Sequence, residues 1–240
     1  MERVEIAVAA EMHKAWLILE TSGRTGSIAI ARGEGIAREA ALDGSRRHAR
    51  DLAAMVAGSL EAERLKPSEL EGVVVSLGPG SYTGLRVGVI SAKSLAYATG
   101  CKLLAVPTFA AIAEQTPEGA TSVGVIADAL QGLIYRQRFE RIEGTWRAVE
   151  ELRIESLAES QQWLRGVDCV SGPGVNLLEN PVFEDVRRAP TDSQLPRCGS
   201  LWKAAQRLAP VTREELFGLE PLYLRGSSAE EKAKREAGSA

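Results

Sequence analysis

The chain has 240 residues, 45% of them hydrophobic and 25% charged, which is enough for one large domain or two small ones. Its formal net charge of -3 leaves no broad basic field to hold nucleic acid by phosphate neutralisation alone, so any RNA contact is expected to come mostly through another subunit. Three widely spaced cysteines, Cys101, Cys169 and Cys198, make neither a disulfide framework nor a zinc pattern, and no apolar run reaches the ~18 residues that span a bilayer, so a reducing cytoplasm without membrane association fits best.

Residues 1–14 carry acidic groups and lack the apolar core and cleavage site of a signal peptide. They read as an N-terminal extension, and translation is expected to start naturally at Met12, just before the first strand. Residues 15–20 form that strand, 21–26 have turn chemistry, and 27–31 resume a strand. A third strand is expected over 35–42. Ser45 stands where a helix N-cap would, and 46–60 place Ala49, Leu52, Ala53, Val56 and Leu60 on one apolar stripe. Pro67 closes that region, and 72–77 form a strand rich in valine. The turn 78–84, Gly-Pro-Gly-Ser-Tyr-Thr-Gly, feeds a helix over 85–98 that Gly100 stops. Residues 103–106 make another short strand, and Pro107 can open the helix after it.

The second half opens again near Thr121, with strands over 123–127 and 133–139 around a turn at 128–132. Glu20 and Asp128 each follow an apolar strand, which suggests two similar α/β subdomains. A second glycine turn, 171–174, follows a short strand at 169–170, and a helix is expected around 200–208. The charged tail, 226–240, reads as disordered. The domain division is thus 1–14 extension, 15–116 first subdomain, 117–225 second subdomain and 226–240 tail.

Several features could carry chemistry. Gly78, Gly80, Ser81, Thr83, Gly84 and Arg86 surround a glycine turn that opens a helix, an arrangement able to hold an anion on free backbone N–H groups. The P-loop pattern and the dinucleotide fingerprint are both absent, and a purely structural turn is the competing reading. Glu20 and Asp128 could meet across a cleft as metal-phosphate ligands, or they could be surface turn acids. His48 lies among Arg46, Arg47 and Arg50, and the remaining histidine is His13, so paired-histidine metal catalysis is excluded. No serine-hydrolase elbow exists, and Cys101 has no neighbouring base. The helix over 85–98 is apolar nearly all round and must be buried on more than one side, either inside one core or against a partner protein.

The runs LILETSGRTGSIAIA, SRRHARDL and VVVSLGPGSYTGLRVGVISAKSLAYATGCKLLAVPTFAAIA resemble the TsaB (YeaZ) family. That family has a strand ending in Asp-Thr-Ser, a helix opening with His-Ser, and a Gly-Pro-Gly-Ser-Phe/Tyr-Thr-Gly-Leu/Val-Arg loop, which residues 78–86 match throughout. Beyond residue 115 the likeness is weaker, resting on Asp128-Ala129, Tyr135 and the closing run 220–225, Glu-Pro-Leu-Tyr-Leu-Arg. Glu20 stands for the family's Asp, Leu130 and Leu133 for an Arg and a Glu, and Ala49 for the Ser after His48.

The resemblance implies an α/β fold of two actin-like (ASKHA, ribonuclease-H-like) subdomains, with mixed sheets flanked by helices. It implies a scaffold or activator subunit for forming N6-threonylcarbamoyladenosine at position 37 of tRNA. The implied partners are a TsaD-like catalytic paralogue, a TsaE-like ATPase, tRNA through the complex, and a second copy as a stand-in homodimer. The catalytic paralogue holds its metal with a His-x-x-x-His pair. The corresponding residues here are 107–112, Pro-Thr-Phe-Ala-Ala-Ile, so this chain is expected to be a pseudoenzyme that alone binds no cofactor, with ATP and a metal ion in the partner subunits. The helices over 46–60 and 85–98 are expected to form one exposed apolar surface, with Arg46, His48, Leu52, Met55, Val56, Tyr82, Arg86, Val89, Ile90 and Lys93 as candidate interface residues. A stand-alone actin-like ATPase or small-molecule kinase is the alternative, and a metalloprotease is a third reading.

Overall fold

A computed structural model describes residues 15–23, 25–41, 48–179 and 181–224, with 48–50 as backbone alone. The expected extension and tail, the start at Met12, Leu42, Ser45 and Arg46 all lie outside the described residues, as does the side chain of His48.

The first sheet is built by β1 (Ala15–Glu20), β2 (Ser27–Arg32), β3 (Gly35–Ala41), β4 (Leu70–Gly78) and β5 (Lys102–Pro107). Its order is β3-β2-β1-β4-β5. The three N-terminal strands meander antiparallel, whereas β4 and β5 run parallel to β1. Such a sheet must be covered on both faces, which is why β1 and β4 read as unbroken apolar runs. Leu17, Leu19, Val73 and Val75 point to one face, beneath α1 (His48–Ala62) and α2 (Tyr82–Thr99). Trp16, Ile18 and Val74 point to the other, beneath α5 (Cys198–Ala205).

The second sheet repeats the plan in smaller form. Its strands are β6 (Ser122–Asp128), β7 (Leu133–Ile142), β8 (Thr145–Ala148), β9 (Arg153–Ser156) and β10 (Cys169–Ser171). The order is β10-β6-β7-β8, with β9 also paired to β7. As β4 does beside β1, β10 runs parallel to β6. Arg136 braces one face, bridging Glu150 and Glu155 with its guanidinium 4.6 Å from the Trp163 ring. The helix α3 (Thr108–Ala113) sits between the sheets and gives Ala111 to one core and Phe109 and Ile112 to the other. This is the expected actin-like architecture, two mixed α/β units with flanking helices.

Three expectations need adjustment. The chain of 117–225 does not stay with the second sheet. Cys198, Leu201 and Trp202 of α5 belong to the core beneath β1, and Leu216 of α6 (Arg213–Gly218) belongs to the core beneath α2. The helix α2 starts at Tyr82 instead of residue 85, because Ser81 acts as its N-cap, its Oγ accepting from the Gly84 amide at 3.2 Å. It stops as expected at Gly100, whose φ of 73° is left-handed. Between β7 and β10 the sequence pattern missed β8, β9 and α4 (Gln161–Arg165), which are short and half-exposed.

Candidate functional site

Two regions gather the residues singled out by the sequence, a cleft between the two sheets and the outer side of α2.

The cleft has a volume of about 680 Å³. Gly80 and Ser81, at the head of α2, form part of one wall, with Ser22 and Thr25 from the β1–β2 turn. Asp128, Tyr135, Pro173 and Asp192 line it from the second half, and Arg197 lies at its side. Three of the glycine turn's amides are already engaged within the chain. The Gly78 amide donates to Thr108 Oγ1 at 3.1 Å, that of Ser81 to the Ser22 carbonyl at 2.7 Å, and that of Gly84 to Ser81 Oγ.

The glycines serve close packing instead. A Cβ on Gly80 would stand 2.4 Å from the Ser22 carbonyl oxygen, and one on Gly84 would stand 2.1 Å from that of Thr21. The head of α2 thus lies directly on the β1–β2 turn, backbone against backbone. The second glycine turn repeats this, since a Cβ on Gly172 would stand 2.2 Å from the Ile126 carbonyl oxygen at the end of β6. The six candidate anion residues do not converge. Gly80 and Ser81 face the cleft, Gly78 and Gly84 are buried, and Thr83 is exposed. Arg86 is held elsewhere, its Nε donating to Tyr223 Oη at 3.0 Å and its guanidinium 4.2 Å from the Tyr82 ring.

Glu20 and Asp128 occupy equivalent strand ends but are not a facing pair of ligands. Asp128 is exposed in the cleft, and its Oδ1 accepts from the Leu130 amide at 2.7 Å. Glu20 is 1% exposed, with Oε1 turned onto the amide and hydroxyl of Ser22 at 2.6 and 2.5 Å. Burial pushes its carboxyl above the usual 4.5, against the opposing pull of hydrogen bonds from Ser22, Ser76 and Gly23. Where the resemblance looked for a histidine pair, Thr108, Phe109, Ala111 and Ile112 of α3 are all buried. Among the described residues no three His, Cys, Asp or Glu side chains come together as a metal-binding group. None of the described helices is long and apolar enough to cross a membrane.

On α2, the apolar surplus that suggested a partner is largely absorbed by the chain itself. Leu85, Val89, Ala92 and Ala96 face the sheet, while Val87 and Leu95 are half-buried against the same core as Met55 and Val56 of α1. Leu52 and Val89 are therefore corrected from interface residues to core, at 1% and 2% exposure. Lys93 also turns to its own chain and donates to the carbonyls of Phe217 and Leu219. What remains outward is narrower than expected. Ile90 and Tyr97 are each 61% exposed, with Ser94 between them, and α1 shows a low-relief face of Ala53, Ala54, Ala57 and Gly58. The exposed Phe217 and its edge-on contact to Tyr97, 5.7 Å between ring centres, gave no sequence signal, because only the return of the C-terminal stretch brings the two together.

The family model described as TsaD: tRNA N6-adenosine threonylcarbamoyltransferase matches residues 12–167. The chain belongs to that family. Within this family it is similar to the "tRNA threonylcarbamoyladenosine biosynthesis protein TsaB" of Bacillus subtilis, at 28% identity over 90% of this chain and 96% of the relative. It is 30% identical to the Escherichia coli protein of the same name, over 54% of this chain and 58% of that one. A Pseudomonas aeruginosa crystal structure, described as an uncharacterized protein with similarity to peptidase YEAZ, superposes with a TM-score of 0.72 at 25% identity, covering 88% of this chain and 100% of that one. The family's TsaB (YeaZ) branch is the one to which the glycine-loop motif pointed.

Proposed function

We propose that the protein takes part in forming threonylcarbamoyladenosine in tRNA, as a non-catalytic subunit that docks on a paralogous catalytic subunit through α1 and α2. The name carried by the Bacillus subtilis and Escherichia coli relatives supports the pathway. The observation that carries the docking reading is the exposure of Ile90 and Tyr97 on α2, together with an exposed small-residue face on α1. Large apolar side chains left wet on a helix are costly, and a low-relief neighbour lets a second helix pair approach closely, ridge into groove. The chemistry belongs to the paralogue in this reading, because α3, where the resemblance looks for a His-x-x-x-His pair, reads Thr-Phe-Ala-Ala-Ile-Ala over Thr108–Ala113. The ATPase partner, tRNA contact through the assembly, and self-association of the isolated chain through the same face extend the proposal.

The test is co-purification with the catalytic paralogue, followed by a modification assay with tRNA, ATP and threonylcarbamoyl precursors. The chain alone is expected to yield no modified nucleoside, and the pair to yield it. An Ile90→Glu chain should keep its melting temperature, because the side chain is outside the core, and bind the paralogue about tenfold or more weakly. Unchanged binding by a folded Ile90→Glu chain would remove this face from the interface.

A second reading, nucleotide binding and turnover by the chain alone, draws on the cleft of about 680 Å³ with Gly80 and Ser81 on its wall. Calorimetric titration of the isolated chain with ATP and Mg²⁺ separates the two, heat of binding and phosphate release favouring the second.

A further inference from the structure

Residues 213–224 run back along α2 and are fastened at two places. At one, Lys93 Nζ donates to the Phe217 and Leu219 carbonyls at 2.9 and 3.0 Å, at the end of α6. At the other, Arg86 binds the Tyr223 hydroxyl, and the Tyr82 and Tyr223 rings stand 4.8 Å apart. Between the two, the Leu222 amide donates to the Leu77 carbonyl at 2.8 Å.

The other contacts that hold it are Leu216 and Leu219 against the first core and the edge of Phe217 on Tyr97. The six-residue α6 is too short to persist alone. Leu216 is its one buried side chain, while Phe217, Leu222 and Leu224 are exposed. A hollow of about 300 Å³ separates residues 210–216 from the end of α2, with Ala96, Tyr97, Cys101, Leu103, Val211 and Leu216 in its walls. Polar fastenings at its middle and far end, few buried side chains and unfilled space beneath its start are the marks of a unit that opens locally, well below the cost of global unfolding.

We propose that residues 213–224 form a strap that opens as a unit, with Lys93 as its principal latch, and that opening uncovers Cys101 and the flank of α2. The ammonium satisfies two backbone carbonyls that a terminating helix leaves without partners, so one substitution removes both of these hydrogen bonds. Arg86 holds the far end, and it lies on the helix offered for docking, so a partner that takes Arg86 also loosens the strap, and an open strap alters partner affinity by the same factor. The strap does not depend on the docking reading, since it can be measured in the isolated chain.

The measurement is thiol labelling of the full chain with an aromatic disulfide reagent, each site read by peptide mass. Cys101 is half-buried in the hollow, whereas Cys169 and Cys198 are buried elsewhere and act as internal references. In the closed state burial also holds the Cys101 thiol above its usual value, which slows its reaction further. Lys93→Met keeps the aliphatic stem and loses the donors, and Cys101 should then label about tenfold or more faster, with Cys169 and Cys198 unchanged. Lys93→Arg should restore most of the protection, and Tyr223→Phe, which loses one exposed, charge-assisted hydrogen bond from Arg86, should accelerate labelling by roughly two- to fourfold. The strap is overturned if Cys101 labels equally fast in Lys93→Met and the parent. It is overturned equally if all three cysteines accelerate together, because that reports global loosening.

Discussion

Glu20 is an acid held where ionisation is disfavoured, at the end of a strand buried along its whole length. Its folded-state value is raised, so above the unfolded value of about 4.5 the folded chain binds more protons than the unfolded one. Stability is therefore lost as pH climbs from the ordinary carboxylate range through the raised value, and no penalty applies below that range. Glu20→Gln keeps an acceptor for Ser22 without the ionisable group. It should raise the urea midpoint at pH 7–8, with a gain that shrinks to nothing towards pH 4.5. A gain constant across that range would mean that the effect is packing and not charge. The sequence showed that Glu20 departs from the family's Asp, but it could not show that the side chain folds back on Ser22. Similarly, it could name Val89 and Ile90 as interface candidates without telling that one faces the sheet and its neighbour faces water. That distinction is a matter of helix phase, and a helix apolar nearly all round carries no phase signal.

At the level of elements, α2 shows what the glycine-rich loop is for. Gly84 and Gly88 are one turn apart on the face that meets the β1–β2 turn, and a Cβ at either would stand 2.1 Å from an atom of Thr21. For Gly84 that atom is the backbone carbonyl oxygen, which cannot move without unseating the turn. For Gly88 it is Oγ1, which can rotate. On an exposed helix each Gly→Ala change would stabilise by up to ~1 kcal/mol. Here Gly84→Ala should destabilise by about 2–3 kcal/mol, and Gly88→Ala by clearly less, in urea unfolding of the two variants. Equal costs would count against the backbone seat. The motif was fully legible as a turn feeding a helix, and so were the strand runs at 15–20 and 72–77, since apolar periodicity and glycine chemistry are local signals. The elements β8, β9 and α4 were not, because short half-exposed segments lack a distinct period. The turn at Leu130 and Gln131 was placed correctly, though its backbone is unusual, both residues holding positive φ, 64° and 61°, where Asn and Gly are favoured.

At the scale of the whole molecule, the two halves share their cores. The β-strands divide as the sequence suggested, but α5 and α6 return to the first sheet, and Trp202 stacks near Trp16 with 5.5 Å between ring centres. Leu201 is fully buried in that return, so Leu201→Ala should cost about 2–5 kcal/mol. With Trp146 and Trp163 of the second half replaced by Phe, the remaining fluorescence of Trp16 and Trp202 reports on the first sheet and should change in the same transition as the far-ultraviolet circular dichroism of the whole chain, with or without Leu201→Ala. Two separated transitions would mean that the halves fold independently. The returning helices also bear on biosynthesis. A ribosome releases the strands of the first sheet long before it releases Cys198–Ala205, so the face formed by Trp16, Ile18, Val74 and Val106 has only α3, through Ala111, as cover while the residues in between are being made. Most two-part proteins can complete their N-terminal half during translation. This one must wait for Cys198–Ala205 and Arg213–Gly218, and over that interval its nascent chain offers an apolar sheet face to chaperones or to other chains.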